Sequence, residues 1–460
     1  MRLVHGCLVS VALTFVVTGV ARSQHTSHWV DLASSDSDAE LMPVPDAQMN
    51  DIDHASQDGE PLWENENFDE SGEYGEYEEP YGFPTSPSLG GHWSVRTDAM
   101  LMWVHGMRLP ALVTTSPTGT AQASAGVLGE NFVETPTASI LFGKDRQTDN
   151  TFSPGGRISL GWWVDELETF GIVGNYFRVE SDSFEFNASS DGLTGSQILA
   201  RPFFNVQPTA GSARQDSSLL AFPDVWSGNI SIRGKSEVFG SEVYLQENLF
   251  NGFNTRWDLI YGYPYLQVNE ELLIQDSIVA GNPGPGGGVQ VGTQIDSFDL
   301  FDTENVFHGG QLGLHWEQKH RIWIWESSMK LALGSMQERV LINGGATTTV
   351  PGPPVTSSNS SGGLLALPTN IGTRRDSQFA VIPEFSFGLK CQWTPRLEWS
   401  VGYNFLYMSH LVRPGDQMDL NVNPTQIGGG TLTGDASPSF NFVDTDFWTQ
   451  GITLGLEYRH

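Results

Sequence analysis

Three histidines that could bind a metal lie near the ends of segments with strand-like alternation: His105, His308 and His410. Imidazole nitrogens are common zinc ligands, so three of them would nearly complete a tetrahedral site. Their positions argue against a shared metal site, because His105 and His308 fall in the apolar phase of their segments and His410 falls in the polar phase. No His-x-x-x-His pair and no neighbouring cysteine supports a site. We therefore expect neither a metal nor another cofactor.

A serine, a histidine and a carboxylate together could hydrolyse esters or peptides, and Ser409, His410 and Asp416 lie close in sequence. Adjacent residues of a strand point to opposite faces, so Ser409 and His410 cannot form a nucleophile–base pair. Asp416 lies in PGDQ, where an aspartate is most simply a turn residue. No Gly-x-Ser-x-Gly elbow is present. We expect no enzymatic activity and keep an outer-membrane hydrolase only as a remote alternative.

The segment DSFDLFDTEN contains an acidic cluster that could bind calcium through carboxylate oxygens. Its members are Asp296, Asp299, Asp302 and Glu304, and their spacing does not match an EF-hand loop. A solvated connection that leads into a strand is the simpler interpretation.

The remaining candidates are charged residues that alternate with apolar ones. In FAVIPEFSFGLKCQW (379–393), Phe385 and Phe387 alternate with Glu384 and Ser386, and this period of two predicts a strand with one apolar and one polar face. Eight charged residues of both signs occupy the polar phase of such segments: Arg96, Asp98, Arg157, Glu326, Lys330, Glu384, Lys390 and Glu398. They need a common structure that places them side by side.

Ten segments with this alternation must position these residues. They are 93–104, 156–165, 169–179, 237–250, 254–278, 298–318, 321–343, 376–393, 396–412 and 444–460. Very short connections such as NGFN (251–254) alternate with five long ones, at about 105–155, 180–236, 279–305, 344–375 and 413–443. Such alternation is typical of outer-membrane β-barrels, which have short periplasmic turns and long external loops. Eight or twelve strands stay open as alternatives if a hairpin has been split or missed.

The apolar faces must be covered either by a second sheet, as in a soluble sandwich, or by lipid. No segment after the N-terminus has the roughly 18 consecutive apolar residues of a membrane-spanning helix. In lipid every backbone polar group must be paired, so a chain without such helices can span a membrane only as a closed barrel. We predict an all-β fold, a single transmembrane antiparallel up-and-down barrel of about ten strands, with the eight charged residues lining its lumen. Gly- and Pro-rich connections such as GNPGPGGG (281–288) and VPGPPVTSSNSSGG (350–363) exclude helices and central strands there.

Two segments precede the predicted barrel (93–460). Residues 1–23 have a basic start, an apolar run and a small-residue exit, which predicts a cleaved secretory signal peptide. Residues 24–92 contain 17 acidic residues and no Lys or Arg, which predicts a disordered periplasmic arm. The formal net charge of −31 makes nucleic acid an improbable partner. Cys391 is the only cysteine of the mature chain, so an intrachain disulfide is excluded.

Several motifs resemble, in order, the BBP-type outer-membrane β-barrel family of planctomycetes. They are HGMRLPALVTTSP (105–117), VLGE…ILFG (127–143), LARPFFN (199–205), FDTENVFHGGQLGL (301–314), LLALPTNIG (364–372), RPGDQMDLNVNP (413–424) and the terminal TDFWTQGITLGLEYR. The resemblance covers roughly 93–460 and implies an outer-membrane barrel, without implying a reaction or a ligand.

Two functions follow from these predictions. A structural or surface-displaying barrel would have a lumen filled by ion pairs, since barrels of about eight strands are filled by side chains whereas 16–18 strands leave a channel. The alternative is a narrow porin-like channel for small solutes, with the same charges at its wall. In both cases we expect residence in the bacterial outer membrane, contact with its lipid, and small solutes or surface partners at the long loops.

Overall fold

A computed structural model describes residues 92–144, 152–180, 183–281 and 289–460, and every structural statement below concerns these ranges. The predicted signal peptide, the predicted arm up to residue 91 and the segment 282–288 lie outside the described residues. Among the described residues, no helix is long and apolar enough to cross a membrane.

The described part of the chain is mostly strand. In chain order the strands are β1 (Trp93–Val104), β2 (Val113–Thr115), β3 (Ser139–Phe142), β4 (Phe152–Trp163), β5 (Phe170–Val179), β6 (Ser183–Ser190), β7 (Leu199–Asn205), β8 (Arg214–Ala221), β9 (Trp226–Asn251), β10 (Thr255–Ala280), β11 (Gln294–His320), β12 (Trp323–Val350), β13 (Thr356–Ser361), β14 (Gly372–Thr394), β15 (Leu397–Val412), β16 (Asn421–Val422) and β17 (Asp444–Arg459). Short 3-10 helices cover Gln122–Ser124, Glu130–Phe132, Pro414–Gln417 and Pro424–Gly429.

Ten of these strands form a closed antiparallel ring in the order β1, β4, β5, β9, β10, β11, β12, β14, β15, β17. The ring closes because β1 pairs with β17 over its whole length, from Ser94 opposite Arg459 to Val104 opposite Thr449. Each barrel strand therefore has a hydrogen-bonded neighbour on both sides, as a strand in lipid requires. The predicted ten-stranded up-and-down barrel is confirmed, with strand ends shifted by at most a dozen residues from the predicted ones.

The outward face of the barrel is the apolar one. On β14, Phe385 and Phe387 are 37% and 41% exposed, whereas Lys390 of the opposite phase is 4% exposed. The same holds around the ring, where exposed apolar residues include Leu101, Ile158, Leu160, Val243, Leu312, Leu314, Met329, Leu331, Leu333, Ile452, Leu454 and Leu456. Such a surface is suited to lipid, and in water it would be a very large apolar patch.

Strands β9 to β12 are 26 to 28 residues long, far more than the roughly 9–11 residues that cross a bilayer. On β12 the outward face is dominated by apolar residues from Trp325 to Leu333, with Ser327 among them, and then changes to Ser335, Gln337 and Arg339. The apolar part adjoins the short turns, so the upper halves of these strands project beyond the membrane at the long-loop end. Short turns are periplasmic in bacterial barrels, and we call the two ends periplasmic and external accordingly.

The long connections are more ordered than their composition predicts. Strands β16, β7, β2 and β3 form a second sheet in that order, and β8 pairs with β7. Strand β7 has neighbours on both sides although it lies in a long connection, so the expectation that the long connections contain no central strand is wrong there. Its sequence, LARPFFN, is buried almost throughout, and this burial rather than local propensity fixes it as a strand. Strand β13 lies in the Pro- and Gly-rich segment 350–363 and is an edge strand.

Ring closure can be tested with a cross-strand disulfide between the terminal strands. Thr97 and Leu456 are register partners on the outward face of β1 and β17. Directly opposed residues in an antiparallel pair lie close enough for a disulfide. In a Cys391→Ser background, we expect Thr97→Cys with Leu456→Cys to form an intrachain bond, detected as a mobility shift of heat-denatured protein without reductant.

The matched control is Thr97→Cys with Phe385→Cys, because Phe385 lies on β14, two strands beyond β17. Equal cross-linking of both pairs, or none in the β1–β17 pair, would contradict the closed ring.

Candidate functional site: the barrel lumen

The periplasmic half of the lumen contains many buried ion pairs. The centre of one group is Lys390, whose ammonium lies 2.7 Å from Glu326, 3.1 Å from Glu317 and 3.4 Å from Glu457. Glu326 also binds Arg96 at 3.0 Å. These three carboxylates repel one another and are largely removed from water. They can lie this close together only while the ammonium is between them.

The remaining predicted residues extend this group or form a second cluster of ion pairs beside it, and we call the two together the ion-pair network. Asp98 accepts hydrogen bonds from Arg96 at 2.9 Å and from Arg157 at 2.8 Å. A second centre forms around Lys330, which lies 2.7 Å from Glu242 and 2.9 Å from Glu384. Glu398 lies 3.7 Å from Arg459. All eight predicted side chains thus point into the lumen, and each has a partner of opposite charge.

Sequence reasoning missed several members of this network, namely Glu242, Arg256, Asp258, Glu317, Glu457 and Arg459. All six occupy the polar phase of predicted strands, so the alternation that identified the other eight also marked these. The sequence does not show which charge pairs with which, because many of the pairs join residues that lie on strands far apart along the chain. Between these side chains lies a polar cavity of about 170 Å³, lined among others by Arg157, Lys330 and Glu457.

One group of side chains in the network has the composition of a metal site. His315, Glu317 and Glu326 can bring their ligand atoms within 4.8 Å of one another. The ammonium of Lys390 already binds both of these glutamates, so the group is neutralised by a residue of the chain itself. The histidines considered from sequence lie elsewhere: His308 bonds Gln337 at 3.0 Å and His105 stacks on Trp448.

Beyond the network, the inward side chains become apolar on nine of the ten strands. We call this layer the apolar septum. Its buried members are Met100, Met102, Val179, Val238, Leu266, Val268, Phe307, Ala332, Met336, Ala380, Ile382, Leu406, Met408, Leu411 and Phe447. On β12 the order from the periplasmic end is Glu326 and Lys330, then Ala332 and Met336.

The next layer is formed by the long connections, which fold inward rather than outward. Two of the motifs quoted above supply it, since Met107, Leu109 and Leu112 of 105–117 and Val422 of 413–424 are buried in one cluster. This cluster packs on the inward faces of β9 to β12, through residues such as Leu272. We call the inward-folded segments 105–117, 199–221, 364–371 and 413–424 the inner cap.

Arg413 fixes the inner cap to the barrel wall. Its guanidinium donates to both carboxylate oxygens of Glu270 on β10, at 2.7 and 2.8 Å, and to the carbonyl oxygens of His105 and Gly106. It also lies over the ring of Phe447 in the septum. One buried cation therefore joins the wall, the cap segments 105–117 and 413–424, and the septum. The sequence analysis identified the motif that contains Arg413 but did not predict this role.

A second buried arginine has the same role higher in the cap. Arg201 of β7 binds Asp276 at 2.9 Å and Asp299 at 2.7 Å. The other oxygen of Asp299 accepts the backbone N–H groups of Leu364, Leu365 and Ala366. The acidic cluster considered for calcium is thereby divided, because Asp299 points inward to these partners while Asp302 and Glu304 bind Arg339 on the outer face.

The residues considered for hydrolysis are also engaged otherwise. The Ser409 hydroxyl accepts the backbone N–H of Val381 at 2.9 Å, and His410 has a left-handed backbone with φ of 56° at a bulge of β15. Among the described hydrogen bonds none joins Ser409, His410 and Asp416.

Glu338 is an unusual buried acid in the external half of the barrel. It points inward from β12 above the septum, is 2% exposed, and neither carboxylate oxygen has a hydrogen-bond partner among the described residues. Burial, with smaller effects of Asp444 and Asp376, raises the pKa of Glu338 to about 8. The carboxyl is therefore neutral at pH 7, which is the cheaper state for an unpaired buried acid.

Replacement of Lys390 tests whether the ion pairs hold the barrel together. Lys390→Met leaves Glu317, Glu326 and Glu457 facing one another without their shared cation. Removing one partner of a buried pair costs about 3–5 kcal/mol, so we expect a decrease of that order in the free energy of unfolding, measured by denaturant titration of the refolded barrel. Lys319→Met is the control, since Lys319 is exposed and, among the described residues, its side chain bonds Gln392 alone. Equal stability of both variants would contradict the network.

Replacement of Glu338 should change the pH dependence of stability. The pKa of Glu338 is about 8 in the folded protein and 4.5 in its ordinary state. Between pH 4.5 and 8 the folded protein therefore keeps a proton that the unfolded chain has released. Stability of the wild type therefore falls as pH rises through this window, by on the order of 1.4 kcal/mol per pH unit. Glu338→Gln removes that loss.

We expect Glu338→Gln to match the wild type near pH 4 and to be increasingly more stable toward pH 8, as measured by urea midpoints at several pH values. Glu271→Gln, at an exposed position of β10, should behave like the wild type throughout. A Glu338→Gln protein that is less stable at pH 8 would show that the carboxylate has a favourable partner.

Several solved structures match the chain, all at low sequence identity. Among solved structures, the outer membrane protease OmpT from Escherichia coli matches with 9% identity and a TM-score of 0.34, over 82% of this chain and 99% of that one. The Pseudomonas putida toluene transporter TodX matches with 10% identity and a TM-score of 0.18, over 80% and 89%. A Pseudomonas aeruginosa FadL homologue gives 7% and 0.19, over 80% and 89%. These scores are too low to support any transfer of function. No curated protein matches the chain.

The sequence comparison is decisive for the family. The model of the family described as Putative beta barrel porin-7 (BBP7) matches residues 93–460. This span starts at the first residue of β1, ends one residue beyond β17, and includes the ion-pair network, the septum and the inner cap. The chain is therefore a member of the BBP7 family of outer-membrane β-barrels.

Proposed function

We propose that this protein is an integral outer-membrane barrel with a closed lumen, whose role is structural and surface-displaying. The observation that carries the proposal is the apolar septum, which crosses the lumen between the ion-pair network and the inner cap. A ten-stranded ring is close to the size at which side chains fill the interior.

The septum is a barrier for physical reasons. An ion that enters an apolar constriction loses its hydration, at an effective cost of several kcal/mol in real proteins. Nine strands supply the side chains, so moving a single strand would not clear the path. The inner cap covers the same path from outside and is fixed by the Arg413–Glu270 pair, both members of which are almost fully buried.

The large share of the chain that lies at the external end supports a role in surface display. The projecting halves of β9 to β12, the second sheet and the edge strands β6 and β13 all lie at the long-loop end. These segments bury a cluster of their own and present polar residues to the outside. A barrel used only as an anchor would need none of them.

A narrow diffusion channel is the second candidate, favoured by the porin description of the family and by the polar cavity of about 170 Å³. It would require the inner cap and the septum to move, and the eight predicted lumen residues would then determine ion selectivity. Transport of small solutes stays a proposal for this chain, as do export by the signal peptide, planctomycete origin and the lack of enzymatic activity.

Single-channel conductance of the refolded 24–460 protein in a planar bilayer separates the two candidates. We expect the wild type to insert, as shown by a heat-modifiable mobility, without conductance steps. Arg413→Met with Phe307→Ser should produce steps, because the first change releases the cap and the second admits water to the septum.

The control pair is Arg396→Met with Phe250→Ser, two exposed positions at the periplasmic end. It should remain silent. Stable, frequent steps in the wild type would contradict the closed lumen and favour the channel.

A further inference from the structure

The external end carries a short motif that neither the barrel nor the closed lumen explains. Asn-x-Ser tripeptides, in which a carboxamide and a hydroxyl are two residues apart, are acceptors for N-linked saccharides on exported proteins. The full sequence contains three Asn-x-Ser/Thr tripeptides without an intervening proline: Asn187-Ala188-Ser189, Asn229-Ile230-Ser231 and Asn359-Ser360-Ser361. All three asparagines are exposed and lie on β6, β9 and β13 at the external end.

The first tripeptide differs from the other two by an acidic residue. Glu185, Asn187 and Ser189 are exposed on the same face of β6, while Phe184, Phe186 and Ala188 pack inward on the core. The amide nitrogen of Asn187 donates to the Glu185 carboxylate at 2.9 Å. At the corresponding position, two residues earlier, Asn229 and Asn359 have Ser227 and Ser357.

This hydrogen bond has a chemical consequence. An amide nitrogen is a poor nucleophile because its lone pair is delocalised into the carbonyl. A carboxylate that accepts the N–H draws the proton away and increases electron density on nitrogen. Hydrogen bonds from Asn187 and Arg233 lower the pKa of Glu185, so the group is ionised at neutral pH and able to accept.

We propose that Asn187 is the acceptor of an N-linked saccharide, with Glu185 as the positioning residue. The amide nitrogen attacks the anomeric carbon of a saccharide carried on a lipid diphosphate. The C–N bond forms as the C–O bond to the diphosphate breaks, the lipid diphosphate leaves with the electron pair, and the amide proton passes to a base of the transferring enzyme. Donor and enzyme belong to the envelope of the source organism.

The position of β6 suits both the transfer and its product. Among the described residues β6 pairs only with β9, so it is an edge strand with one free side. A bulky hydrophilic group on an exposed edge protects it from pairing with other chains. The inference depends on export and on the external orientation given under the proposed function, but not on whether the lumen is closed.

Mass spectrometry of protein purified from the outer membrane of its source organism tests the inference. Trypsin places the three asparagines in separate peptides, 179–214, 215–233 and 340–374, since Arg201 is followed by a proline. We expect the first peptide to carry saccharide mass on Asn187. Asn187→Gln and Ser189→Ala should each abolish that mass, and Glu185→Gln should lower its occupancy severalfold.

Asn359→Gln is the matched control at an exposed tripeptide without the acidic residue, and it should leave the mass of peptide 179–214 unchanged. An unmodified Asn187 in the native protein would overturn the inference, as would full occupancy in Glu185→Gln. Neither result bears on conductance, so a silent barrel without saccharide would refute this site and leave the closed lumen in place.

Discussion

Closure of the hydrogen-bonded ring is the constraint on which the rest of this structure depends. In lipid an unpaired backbone N–H or C=O costs several kcal/mol, so β1 and β17, more than 300 residues apart, must find each other. Once they pair, alternation sends every second side chain to lipid and the others into a confined interior. The outward set can then be uniformly apolar, and the inward set must satisfy itself without much water.

The interior meets this demand in two ways. Near the periplasmic turns it uses charges, and two lysines each bind more than one carboxylate, so that single cations compensate several anions. Farther along the same strands it uses apolar side chains, which need no partner. The inner cap repeats both devices, with Arg413 and Arg201 as buried cations inside an apolar cluster. Both devices place paired or apolar side chains across the interior, and this supports the structural and displaying role that we propose.

Period-two alternation, the alternating short and long connections and the lack of a spanning helix together predicted the barrel, its ten strands and the inward direction of residues such as Lys390. It could not predict the septum, since Met100, Ala332 and Met336 are as apolar as their outward neighbours, and only the closed ring shows which side they face. Strand β7 was missed because burial in the inner cap determines its conformation. The partners of Arg413 and Lys390 could not be predicted from the sequence for a related reason. Charge pairing across a lumen depends on strand order and shear, which are properties of the whole barrel and not of any single segment.

The most direct test of a closed lumen is thiol accessibility on either side of the septum, in a Cys391→Ser background reconstituted in vesicles. Ser328 borders the periplasmic cavity and Ala332, four residues further on β12, is 4% exposed within the septum. We predict that a membrane-impermeant thiol reagent modifies Ser328→Cys from the periplasmic side only and leaves Ala332→Cys unmodified from both sides. Rapid modification of Ala332→Cys from either side would show that water and solutes reach the septum, and would contradict a closed lumen.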